Sequence, residues 1–207
     1  MYECRKCGQF GLRYERAYPP QEYLEGNCNS RIWIVGLNPA LDPAWVDGID
    51  LRATSDLQEY FDDREKAHSY FKDFRAVSTI LYDSLGKMGG TAHTDLVKCS
   101  SKNWPPNGVS GKGEKRIIEN CEVYLLDQLR QIRPLMLICN GASVSTLIKK
   151  LFPPPADCSP NVTSYIAQFE EERMCIVLSG FIGRIDNYAK RRLGVEIEAR
   201  LKELSLL

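Results

Sequence analysis

The chain has 207 residues, 43% of them hydrophobic and 26% charged, with 27 basic side chains matched by 27 acidic ones. This is the composition of an ordinary soluble protein, long enough for one well-buried domain and cramped for two. Zero net charge excludes nucleic-acid affinity through bulk charge, so any such affinity has to come from a local basic surface. No apolar run approaches a membrane span and no signal-peptide pattern opens the chain, so its eight cysteines are expected as reduced, cytoplasmic thiols rather than a secreted disulfide framework.

In chain order, Cys4 and Cys7 form a C-x-x-C, and the polar, Pro/Gly-punctuated residues 14–30 read as loop with one short helix. Residues 31–36 are apolar, β-branched and aromatic, which predicts a buried parallel strand. A loop at 36–43, forced by Asn38 and two prolines, follows its carboxyl end. Helical spacing covers 67–86, a second strand covers 92–99, and a Gly/Pro/Ser/Asn loop runs to 113. The clearest helix spans 114–133 and is closed by Pro134; a third strand covers 135–140, and Gly141 opens a helix through Phe152. After a short Pro-rich linker at 153–160, residues 164–169 and 174–179 read as strands around a charged turn. A Gly-bounded loop at 179–184 then leads into a closing basic helix from Ile185. This alternation predicts a single α/β domain over 1–207, a three-layer α/β/α arrangement with a mostly parallel central sheet. Ligands of such sheets sit outside the carboxyl ends of the strands, so the loops at 36–43, 99–113 and 179–184 are the expected site.

The N-terminal C-x-x-C has no second C-x-x-C to complete a compact knuckle. Its best partners are Cys99, at the end of the second strand, and Cys121, inside the long helix. Four soft thiolates of this kind select an iron–sulfur cluster or zinc. A zinc ribbon built on Cys4, Cys7 and Cys28 is the competing arrangement. Cys139, Cys158 and Cys175 read as structural thiols.

Several stretches together resemble the uracil-DNA glycosylase superfamily, most closely its iron–sulfur family 4 type. Residues 24–27 (Leu-Glu-Gly-Asn) and 32–39 (Ile-Trp-Ile-Val-Gly-Leu-Asn-Pro) are similar to that family's lead-in and its first Gly-x-x-Pro motif. Residues 94–99 (Thr-Asp-Leu-Val-Lys-Cys) are similar to its T-N-V-V-K-C strand, and 121–142 to its helix, Arg-Pro step and following strand. The resemblance implies a [4Fe–4S] cluster on Cys4, Cys7, Cys99 and Cys121, and excision of a deaminated base such as uracil from DNA by a monomeric enzyme. It further implies that Asn38 positions the attacking water, with Gly36 and Ser179 lining the base pocket.

Two departures alter what can be carried over. Asp95 stands where the family reads the uracil edge with asparagine; a carboxylate only accepts, so Asp95 reads a carbonyl only when protonated, or else favours a base with an amino donor. The family's His-Pro-Ser motif is reduced to 177–179 (Val-Leu-Ser), leaving Arg184 to contact phosphate or to stabilise the leaving base, and Phe181 or Ile182 to wedge into the duplex. Only His68 and His93 are present; His68 reads as a surface or capping residue. Phe71 is the expected stacking ring, and Lys98, Lys102 and Arg191 lead the basic residues that would meet phosphates. A DNA-binding relative without chemistry, or a zinc homologue with altered base preference, remain open alternatives.

Overall fold

The computed structural model describes residues 2–16, 18–39 and 69–206. Its centre is a five-stranded sheet of β3 (Ile32–Gly36), β4 (Thr91–Asp95), β5 (Met136–Asn140), β6 (Ser164–Phe169) and β7 (Glu172–Ser179), in the order β4-β3-β5-β7-β6. The first four strands in that order run parallel, and β6 pairs antiparallel with β7 at one edge. Every residue of β3, β4 and β5 is buried, as expected of strands covered on both faces.

Helices lie on both sides, so the chain is an α/β protein with a mostly parallel sheet. One face, presenting Trp33, Val35, Leu137 and Cys139, packs on α3 (Gly111–Ile132), α4 (Ala142–Leu151) and the N-terminal segment. Helix α3 turns Ile117, Cys121, Tyr124, Leu125, Gln128 and Leu129 inward at helical spacing, and ends in a left-handed Arg133 before Pro134. The other face, presenting Ile34, Met136, Ile138 and Val177, packs on α1 (Ser69–Phe74), α2 (Thr79–Asp83) and α5 (Asn187–Glu203). Asp186 caps α5 by accepting from Ala189 N at 2.7 Å, and Gly194 lets that helix press against the Val77 carbonyl, where a Cβ would collide. No helix among the described residues is long and apolar enough to cross a membrane.

Three expectations from sequence are corrected. The helix expected over 67–86 is two short helices, because Ser78 adopts an extended conformation and caps α2 through Leu81 N. The strand expected to run to Cys99 leaves the sheet after Asp95. Leu96 N and Val97 N instead donate to the Gly36 and Leu37 carbonyls, so 96–99 folds over the strand ends. The N-terminus is also no plain loop: β1 (Tyr2–Cys4) and β2 (Tyr14–Arg16) pair antiparallel around the C-x-x-C turn. Expectations that fall on 40–68, including His68 and the far half of the loop at 36–43, lie outside the described residues.

Candidate functional site

Two clusters meet at the carboxyl end of the sheet. The first is the set of thiols. Cys7, Cys99 and Cys121 are each 3% exposed and share one core with the half-buried Cys4. Cys7 accepts a hydrogen bond from Cys121, which pulls the Cys7 thiol down to about 6 against the opposing effect of burial and pushes the Cys121 thiol well up. Cys99 is pushed up to about 12 by burial and by the neighbouring charges of Cys7 and Cys4. The hairpin brings Cys4 and Cys7 to the site, the segment after β4 brings Cys99, and α3 brings Cys121. The backbone N–H of Lys98 also points at the Cys121 sulfur.

Two further observations test whether these thiols fit a cluster. The hydroxyl of Tyr14 is buried, has no hydrogen-bond partner among the described residues, and neighbours Cys99 electrostatically. It is a buried donor whose partner the described residues do not supply, and the sulfur of a centre bound beside Cys99 would serve as one. Among the described residues, no three His, Cys, Asp or Glu side chains are grouped as one bound ion needs. Cys7 and Cys121 nonetheless interact directly, and Cys99 feels the charges of both Cys7 and Cys4. Cys28, the extra ligand of the zinc-ribbon alternative, is exposed.

The second cluster is polar and buried. Glu25 pairs its backbone with the edge of β4, exchanging N–H···O bonds of 2.7 and 2.8 Å with His93. That pairing sets the two side chains together, with His93 Nδ1 2.5 Å from Glu25 Oε2. Two residues along, on the same face of β4, Asp95 puts Oδ1 3.9 Å from His93 Nε2. Gly36 makes room for both: a Cβ there would collide with Asp95 Oδ1 and come within 2.9 Å of His93 Nε2. Tyr23 donates to Glu25 Oε1 at 3.2 Å and reaches Asp95 Oδ2 at 3.5 Å. Tyr70 Oη lies 3.0 Å from His93 Nε2 and accepts from Asn140 Nδ2 at 2.8 Å. Burial raises Asp95 to about 6, with Glu25 adding to the rise while His93 and Lys98 oppose it. Burial alone would keep His93 neutral; the charges of Asp95 and Glu25 outweigh it and raise its pKa.

The residues singled out from sequence fall into distinct places. Asn38 sits half-buried at the strand end, its Nδ2 donating to the Pro39 carbonyl at 2.9 Å and to Ser101 Oγ at 3.0 Å. Asp95 and Gly36 both adjoin His93 in the buried polar cluster. Phe71 is a core residue, edge-on to Tyr70 and His93 and only 2% exposed, so Tyr70 is the ring that reaches the surface. Ser179 is committed to the fold: its Oγ donates to the Cys139 and Gly180 carbonyls at 2.7 and 2.9 Å.

Ile182 is no wedge, being buried with its N–H on Asn140 Oδ1 at 2.8 Å. Phe181, next to it, is 41% exposed, stacked with Tyr70 at 6.2 Å and flanked by the exposed Arg184 guanidinium at 5.9 Å. Lys98 is no phosphate contact either. It is buried, and its Nζ donates to Thr94 Oγ1 (2.7 Å), the Asp95 carbonyl (2.5 Å) and Gln128 Oε1 (2.7 Å). Burial lowers it to about 7. Lys102 and Arg191 are exposed.

Sequence reasoning missed His93, Glu25 and Asn140, and favoured Phe71 over Tyr70 among the rings at 70–74. The one local signal was strand alternation, which sets His93 on the face of Asp95. The fold and this cluster define an α/β domain with a charged, strand-end site. No family model and no curated protein matches the chain.

Proposed function

We propose that the chain is a DNA N-glycosylase of the uracil-DNA glycosylase type, removing a deaminated base such as uracil, with Cys4, Cys7, Cys99 and Cys121 holding a structural [4Fe–4S] cluster. The observation that carries this reading is the meeting of thiols from three distant stretches of sequence beside the segment that bears Asp95. Soft thiolates select either an iron–sulfur cluster or zinc, and the similarity of residues 94–99 and 121–142 to the iron–sulfur family's motifs favours the cluster. When bound, the cluster serves as a cross-link between the hairpin, the 96–99 segment and α3.

The chemistry falls to the chain's own residues. A nucleotide is extruded from DNA towards the strand ends, past the exposed Phe181 and the half-buried Tyr70. Asn38 orients the attacking water through Oδ1, its Nδ2 being tied to the loop. Asp95, half-protonated near pH 6, offers an O–H to a base carbonyl, which an ionised carboxylate cannot do. The exposed Lys102, Arg184 and Arg191 meet phosphates. One observation favours a DNA-binding relative without chemistry: Ser179 and Ile182, where the family's closing motif acts, are both committed to the fold.

The deciding assay measures release of uracil, hypoxanthine and xanthine from defined single- and double-stranded DNA. The glycosylase reading expects release of at least one base and a loss of about 10²-fold in Asn38→Ala. Tight DNA binding with no product selects the non-catalytic relative.

A further inference from the structure

The buried polar cluster forms one directed chain of hydrogen bonds. The Ile182 N–H must find an oxygen, so Asn140 turns Oδ1 to it and Nδ2 to Tyr70 Oη. Having accepted from Asn140, Tyr70 directs its own proton to Nε2 of a neutral His93, whose Nδ1–H then faces Glu25. When the imidazole gains a proton, Nε2–H lies between Tyr70 Oη and Asp95 Oδ1. The groups facing His93 are Glu25 from the edge segment, Asp95 from β4, Tyr70 and the Phe71 ring from α1, and Gly36 from β3, with the Lys98 charge further off. Tyr23 bonds to both carboxylates. Two carboxylates around one imidazole leave a proton that resides on His93 or on Asp95. Burying such a set is costly, and apolar residues would fill the space at lower cost. A packing role alone does not account for it.

We propose that His93, anchored by Glu25, is a positioning residue for the leaving base, supplying through Asp95 and Tyr70 the proton for which the loop after β7 has no histidine. This rests on the glycosylase reading. The C1′–N bond breaks with its electron pair on the base, and water adds at C1′ and loses a proton to solvent. Asp95 gives its proton to the base and recovers one from His93, whose Nε2–H Tyr70 Oη holds on the side of Asp95 Oδ1; His93 is then reprotonated from solvent, so the net reaction is hydrolysis. Leaving-group assistance thus sits on strand β4.

The test uses the full chain. With only two histidines in the sequence, ¹⁵N-histidine NMR identifies His93 by comparison with His93→Gln. His93 should titrate above the ordinary value of 6.5, and Glu25→Gln should lower its midpoint by about one pH unit. A His93 that stays neutral from pH 5 to 9, or a midpoint indifferent to Glu25→Gln, overturns the relay whatever the activity. In single-turnover base release over the same range, the rate should fall through the His93 midpoint as pH rises. Glu25→Gln should move that limb by the same amount, and Tyr70→Phe should slow release about 10²-fold. A wild type that binds DNA and releases nothing defeats the glycosylase reading and the leaving-base role with it. A wild type that releases base, with an alkaline limb unmoved by Glu25→Gln, defeats the relay alone.

Discussion

Asp95→Asn is the substitution whose outcome the structure constrains most tightly. Asp95 is 3% exposed and its carboxyl is raised from 3.8 to about 6, first by burial and then by Glu25. A group that holds its proton more tightly in the folded chain stabilises the fold at acid pH, and that stability is lost as pH rises from about 3.8 to about 6. Above that window the ionised side chain costs about 3 kcal/mol relative to its unfolded state. Asparagine keeps the shape and an oxygen for Tyr23 but carries no charge. Its NH₂ group must find an acceptor, which offsets roughly 1 kcal/mol of the gain. The net gain is about 2 kcal/mol, or roughly 4–8 °C in Tm for a domain of this length. Thermal unfolding of both proteins from pH 4 to 9 reads it directly. Their difference should be near zero at pH 4, grow between 4 and 6, and stay in favour of Asp95→Asn at pH 9, with part of the gain withheld while His93 is charged. A difference that is constant with pH, or largest in acid, refutes the reasoning.

Four further substitutions have outcomes set by the same geometry. Lys98→Met should destabilise the fold by about 2–4 kcal/mol, since it strips the donor from Gln128 Oε1 and the Asp95 carbonyl. It should leave the salt dependence of DNA binding unchanged, whereas Arg191→Ala should reduce the slope of log K against log salt by about one. Ser179→Ala should cost about 1 kcal/mol in urea unfolding and leave base preference as it was, because its hydroxyl is spent on two backbone carbonyls. Phe181→Ala should leave Tm within a degree or two and weaken binding to single-stranded DNA by roughly 1–3 kcal/mol, because the exposed ring stacks outside the core.

Much of the architecture was legible because buried parallel strands announce themselves as unbroken apolar runs, as 32–36, 136–140 and 174–179 do. The proximity of the cysteines was legible only in part: Cys121 does lie on the inward face of its helix, whereas Cys99 reaches the N-terminal hairpin from the segment beyond the strand. What stayed hidden was long-range pairing. Nothing near His93 in the sequence tells that Glu25, 68 positions away, folds along the edge of β4 and turns a strand histidine into a buried ion-pair partner. Lys98 was misread for the same reason, since its partner Gln128 lies a helix away and a lysine is ordinarily a surface residue. Ile182 and Phe181 show the limit of a loop reading, in which two apolar neighbours are equally plausible wedges until the backbone turns one inward.

The account stands most directly on the composition of the thiol centre. Iron, acid-labile sulfide and zinc should be determined on the full chain purified without oxygen, alongside Cys99→Ser and Cys121→Ser. We expect close to four irons and four sulfides per chain, a brown protein, and loss of both with a lowered Tm in either variant. One zinc per chain, or iron content unaffected by both substitutions, would contradict it.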